Sequence, residues 1–88
     1  MAPSRKIIFS AQANEDLRHW SKNKPEYVEK IQQLLMAILS NPETGIGKPE
    51  PLRFKYSGFW SRRISREDRI IYRWDDESIE IISLRGHY

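Results

Sequence analysis

Two side chains that could move a proton stand far apart in this 88-residue chain. Glu50 lies between Pro49 and Pro51, and His87 is followed by Tyr88. Imidazole, with an unperturbed pKa near about 6.5, can give or take a proton near neutral pH. The two prolines remove backbone donors and stiffen their segment, so they can hold a carboxylate in one place. Between these residues come Arg63, Arg69 and Arg73. Arg69 and Arg73 are four apart in a strand-like run, an even spacing, and leave the same face. Arg63 can reach that face from across a hairpin. By the same parity Ser83, Arg85 and His87 share a face on the last strand-like segment. Guanidinium forks match phosphate, and three on one face repel each other unless an anion sits among them. The plainer alternatives are cross-strand pairing with Glu67, Asp68 or Glu80 and, for Glu50, an ordinary polar turn.

A carboxylate, several arginines, a histidine and a tyrosine fit RNA cleavage without a metal or other cofactor. The 2′-hydroxyl of RNA can attack its neighbouring phosphate. It needs a base for its proton, cations for the charge growing on the phosphate oxygens, and an acid for the departing 5′-oxygen. DNA lacks that hydroxyl. The sequence has no HExxH run, no glycine-rich phosphate loop before a helix and no cysteine, so thiolate metal sites and disulfides are excluded.

These side chains need a scaffold, and the patterning supplies one. RKIIFS (5–10) reads as a strand, and Ser10 can cap a helix through AQANEDLRHW, with Glu15 and Asp16 near its start. Ala13, Leu17 and Trp20 fall on one helical face. Pro25 suits the first position of a second helix, running to about Ser40. Its apolar stripe is Tyr27, Val28, Ile31, Leu34, Leu35, Ile38 and Leu39. NPETGIGKPEP then stops regular structure. From Leu52 the period changes to two. Trp60, Arg62 and Ile64 alternate with Ser61 and Arg63, and Ile70, Tyr72 and Trp74 alternate with Arg69 and Arg73. SREDR and DDES read as hairpin turns. SIEIISLR is apolar on both sides, as a central or covered strand would be. The order is strand, helix, helix, then three or four antiparallel strands. The helices can pack as a hairpin over Ile70, Tyr72 and Trp74, leaving the arginine face open.

The chain is one small α+β domain, 1–88, with net charge +3. From Lys48 to Arg73 eight basic residues stand against three acidic ones, and the DDESIE segment then reverses the sign. This distribution points either to a phosphate-binding surface or to a solvated sheet face. No stretch approaches the roughly 20 apolar residues of a membrane helix, and no signal peptide is evident. The expectation is a cytoplasmic protein without membrane contact.

KPEPL, SGFWSRRI, the arginine of DRIIY and the HY pair, in this order, resemble the YoeB/Txe toxins of the RelE/ParE superfamily. The dense match runs from about Gly45 to Tyr88. The resemblance implies a small twisted antiparallel sheet with a two-helix hairpin on one face. It implies an endoribonuclease that cuts mRNA at the ribosomal A site. It also implies a cognate antitoxin, homodimers in some members, and contact with operator DNA only through the antitoxin. Carried over by motif, Glu50 is the general base and His87 the general acid. Arg69 stabilises the phosphate transition state with Arg63 beside it, and Tyr88 orients the substrate or the base. Lys48 and Arg53 contact RNA, with Arg73 and Arg85 as further cations. Gly86 replaces a bulkier residue of the family. Two rival readings remain at this point: a gyrase-binding inhibitor like the ParE branch, and an RNA-binding relative without catalysis.

Overall fold

The structure is a computed structural model and describes residues 5–86. Strand β1 (Lys6–Phe9) is followed by helices α1 (Ala11–Asn23) and α2 (Pro25–Ser40). Strands β2 (Glu50–Pro51), β3 (Trp60–Arg63), β4 (Arg69–Trp74) and β5 (Ser78–Gly86) complete one five-stranded sheet. Its order is β1-β5-β4-β3-β2. Four strands are antiparallel neighbours, as expected. β1 instead runs parallel to β5, with Lys6 opposite Ser78 and Phe9 opposite Ile81. A parallel pair needs a long connection, and here most of the chain lies between the two strands. β5 is therefore an interior strand, flanked by β1 and β4, as its two-sided apolar pattern requires.

The helices form where spacing and caps dictate. Ser10 Oγ accepts from the Ala13 N–H (3.0 Å) and so closes the first turn of α1. Pro25 opens α2, where a missing N–H costs nothing. Ile31, Leu34 and Ile38 of α2 are buried against Ile70, Tyr72, Ile79, Ile81 and Leu84 of the sheet. Ala13 and Trp20 of α1 join this core.

α1 also takes over from β1 along the edge of β5. Once β1 has ended, the Ser10 hydroxyl donates to the Ile82 carbonyl (2.7 Å). Asp16 Oδ2 accepts from the Leu84 N–H (2.9 Å), and Trp20 Nε1 donates to the Leu84 carbonyl (2.8 Å). The sequence reading placed Asp16 as a charge near the helix start. It is instead a buried acceptor for a strand amide, further steadied by Gln12 Nε2 at 2.8 Å. Buried backbone donors need such partners, and these bonds fix the path of β5 to its end.

Both predicted hairpin turns form. Asp75 Oδ1 accepts from the amides of Glu77 and Ser78 at 2.8 Å each, shaping the β4–β5 turn. Those two bonds hold its carboxyl below the usual value of 3.8. Among the described residues no helix is long and apolar enough to cross a membrane.

Candidate active site

The sheet register brings the predicted charges together. Glu50 lies opposite Ser61, Ser61 opposite Ile71, and Ile71 opposite Ser83, a row crossing β2, β3, β4 and β5. In the next row Arg63 faces Arg69, and Arg69 faces Gly86. Arg69 Nη1 donates to Glu50 Oε1 at 3.0 Å and lies 3.4 Å from Ser61 Oγ. The Arg69 side chain is only 16% exposed and that of Glu50 56%. A pair this open to water adds at most about 1 kcal/mol to stability. What it fixes is geometry, a carboxylate and a guanidinium within one hydrogen bond.

Two arginines directly opposite each other on neighbouring strands are an unfavourable cross-strand pair. Glu50 meets one of them. Arg63 Nε is buried and finds no hydrogen-bond partner among the described residues, and the same holds for Ser83 Oγ. This face therefore carries more donor capacity than the described residues use. Arg73, at the far end of β4, is exposed and spends its Nε on Glu80 Oε1, the plain cross-strand pairing. Ile71 is 2% exposed although it belongs to this face, so the face is not bare.

Arg85 departs from the parity argument. The β4–β5 register shifts between Arg69 and Ile71 and again between Ile71 and Tyr72. β5 spends three residues from Ser83 to Gly86 where β4 spends two. Ser83 and Gly86 thus match the arginine face, and Arg85 does not keep step with Ser83. Its guanidinium lies over the Trp20 ring of α1, 5.6 Å from the centroid. A bulge inserts one residue and re-aims side chains beyond it, and nothing in SLRG announces it. His87 and Tyr88 lie outside the described residues.

The loop that delivers Glu50 is held by a residue first read as part of the positive patch. Arg62 is 0% exposed. Its Nη2 donates to the carbonyls of Asn41 (2.6 Å) and Thr44 (2.8 Å), and its Nη1 to that of Ile46 (3.0 Å). Its Nε donates to the Tyr72 hydroxyl at 3.1 Å, which in turn donates to the Pro42 carbonyl at 2.6 Å. Burial pushes the Tyr72 hydroxyl above its ordinary value of 10.0, against the opposing pull of Arg62, and this keeps it a donor. The loop closes tightly on this cation. A Cβ on Gly45 would meet Arg62 Nη1 at 3.0 Å, and one on Gly47 would meet Leu34 Cδ2 at 2.7 Å. Both glycines also have positive φ, 119° and 87°. The Gly47 carbonyl then accepts from the Arg63 N–H at 2.7 Å, and Lys48, Pro49 and Glu50 follow. Arg62 shares the parity of Trp60 and Ile64, so its inward aim was readable from the alternation; its charge concealed the role.

Lys48 and Arg53 are exposed on either side of Glu50. Among the described residues Lys48 and Phe54 are the non-glycine residues with positive φ, 51° and 59°. Strain of this kind costs on the order of 1–3 kcal/mol and gathers at working sites. Among the described residues no group of three or more His, Cys, Asp or Glu side chains could hold a metal ion.

A family model described as the YoeB-like toxin of bacterial type II toxin–antitoxin systems matches residues 9–88. The toxin YoeB of Escherichia coli is 41% identical over 83 residues, covering 94% of this chain and 99% of that one. The YoeB dimer of Staphylococcus aureus superposes with a TM-score of 0.90 at 42% identity, covering 98% and 100% of the two chains. The YoeB–YefM complex of the same organism gives 0.85 at the same identity and coverage. With its arginine face, its Glu50–Arg69 pair and these likenesses, the chain belongs to the YoeB-like toxins of bacterial type II toxin–antitoxin systems.

Proposed function

We propose that this toxin is an endoribonuclease that cuts mRNA in the A site of the ribosome, by general acid–base catalysis that needs no metal. The observation that carries this reading is the 3.0 Å contact between Glu50 and Arg69 on a face where Arg63 stands opposite Arg69. A phosphate entering there exchanges one hydrogen-bond partner of Arg69 for another and meets Arg63 on the same face. Glu50 takes the proton of the 2′-hydroxyl as that oxygen attacks phosphorus. Arg69 and Arg63 stabilise the charge that grows on the non-bridging oxygens. The bond from phosphorus to the 5′-oxygen breaks, and His87 gives that oxygen its proton. Gly86, which precedes His87, pairs with Arg69. Tyr88 orients the substrate or the base. Lys48, Arg53 and, more peripherally, Arg73 and Arg85 hold the RNA strand.

The partners follow the relatives. In Staphylococcus aureus YoeB is found as a dimer and in complex with YefM. A cognate antitoxin that covers the arginine face, and a homodimer of the toxin, are proposed here as well.

The chemistry is read in the product ends. Ribosomes programmed with a defined mRNA and exposed to the toxin should yield 5′ fragments ending in a 2′,3′-cyclic phosphate, or the 3′-phosphate formed from it. The 3′ fragments should begin with a 5′-hydroxyl. Fragments carrying a 3′-hydroxyl and a 5′-phosphate would contradict the mechanism, because water rather than the 2′-oxygen would then be the nucleophile.

A further inference from the structure

Phe54 is the most exposed large apolar side chain described, at 90%. Folding gains almost nothing from a ring left in water. The residue also carries a backbone cost, because φ of 59° is a region that favours glycine or asparagine. Strain and exposure at one residue, neither compensated by packing, call for a reason outside the fold.

The segment is not slack. It begins the short 3₁₀ turn Phe54–Tyr56 that joins β2 to β3. The Arg53 carbonyl accepts from the Tyr56 N–H at 3.1 Å, and the Phe54 carbonyl from the Ser57 N–H at 3.0 Å. The Leu52 N–H donates to the Phe59 carbonyl at 2.8 Å and closes the base of the turn. A fixed backbone thus presents a ring that has few torsions to lose on binding. Arg53 and Lys55, both exposed, flank it, and Lys55 Nζ lies 5.2 Å from the Tyr56 ring. An aromatic face between two cations is the composition that holds single-stranded nucleic acid. Phe54 is four residues beyond Glu50, so chain geometry keeps the two Cα atoms within about 14 Å. That is a few nucleotides of strand.

From these observations we infer that Phe54 is a stacking platform for one unpaired base of the RNA, a few nucleotides from the phosphate that is cut. This rests on the nuclease reading for the nature of the strand. Stacking is tolerant of base identity and is worth about 1–3 kcal/mol per base, or about 5- to 150-fold in affinity. It adds no charge contact, so its loss leaves the salt dependence unchanged. Arg53 and Lys55 differ in this respect, since each phosphate contact contributes about one to the salt slope.

The test is binding of a short single-stranded RNA, methylated at every 2′-oxygen so that it cannot be cut, at a series of low salt concentrations. Phe54→Ala should bind about 5- to 150-fold more weakly with an unchanged salt slope. Phe54→Trp should restore the affinity. Removing a single base from the oligonucleotide, at one position only, should weaken the wild type but leave Phe54→Ala unaffected. Circular dichroism should show both variants folded, because the ring buries nothing. Equal binding by Phe54→Ala, absence of binding by the wild type, or a loss that persists on an oligonucleotide without bases would each overturn the platform. So would a variant that binds RNA normally but loses an antitoxin, which would give the ring to a protein partner. Failure of the nuclease reading is separate: the wild type would bind this oligonucleotide as expected yet leave an unmethylated mRNA on the ribosome uncut.

Discussion

Glu50→Gln should cut ribosome-bound mRNA about 10²–10⁴-fold more slowly than the wild type while remaining folded. The amide keeps the shape of the carboxylate and can still accept from Arg69 Nη1, now 3.0 Å from Glu50 Oε1. What it cannot do is take a proton. Stability should change by no more than about 1 kcal/mol, because the Glu50 side of the ion pair is open to water. The measurement is single-turnover cleavage beside a thermal melt of the same preparation. Catalysis and stability should separate by at least an order of magnitude in their effects. A variant that melts normally and cuts at more than a tenth of the wild-type rate would remove Glu50 from the role of base. His87→Gln belongs in the same experiment and should show a loss of the same order. Arg69→Ala tests the other half of the pair, and its loss should appear in the chemical step more than in binding, since the charge it meets grows in the transition state.

Arg62→Met should produce the opposite pattern, a damaged fold. The carbonyls of Asn41, Thr44 and Ile46 would lose a charged donor, and so would the Tyr72 hydroxyl. A buried polar group left unpaired costs roughly 1–3 kcal/mol, so three carbonyls alone bring the loss to at least about 3 kcal/mol. For a domain of this length each kcal/mol lowers the melting temperature by about 4–8 °C. A fall of at least about 12 °C follows. Arg66, exposed in the turn between β3 and β4, is the control; Arg66→Met should change stability by less than about 0.5 kcal/mol. Arg62→Lys keeps the charge but loses the fork, so it should fall between the two. A melt of Arg62→Met within a few degrees of the wild type would show that the loop before Glu50 is held by something else.

Arg62 also shows where reading the sequence succeeds and where it stops. Alternation is a local property, and it placed Trp60, Arg62 and Ile64 on one face correctly. The closing of the 41–47 loop over that face depends on contacts across 16–21 residues, and no window of sequence contains them. The helices were legible because cap, proline and apolar stripe all agree over many residues. The hairpins were legible because their turns are local. The parallel place of β1 is set by pairing across some seventy residues, and only the structure gives it. Asp16 read as a surface charge because its partner, the Leu84 amide, is 68 residues away. Parity failed at Arg85 because the bulges of β5 are matched to β4 and have no signature of their own. Within the site, Glu50 and Arg69 were brought together as expected. Ser61, which lies between them across the sheet, carried no signal beyond its parity with Arg63.

The central claim is that the RNA cuts itself, with this face supplying the base and the cations, and His87 the acid. Its most direct test is an mRNA with one 2′-deoxynucleotide on the 5′ side of the phosphate that is normally cut, held on the ribosome and exposed to the wild-type toxin. The account predicts that this phosphate survives, while the all-ribose message is cut at the same place under the same conditions. Cleavage of the deoxy-substituted position at an undiminished rate would show that the 2′-oxygen is not the nucleophile.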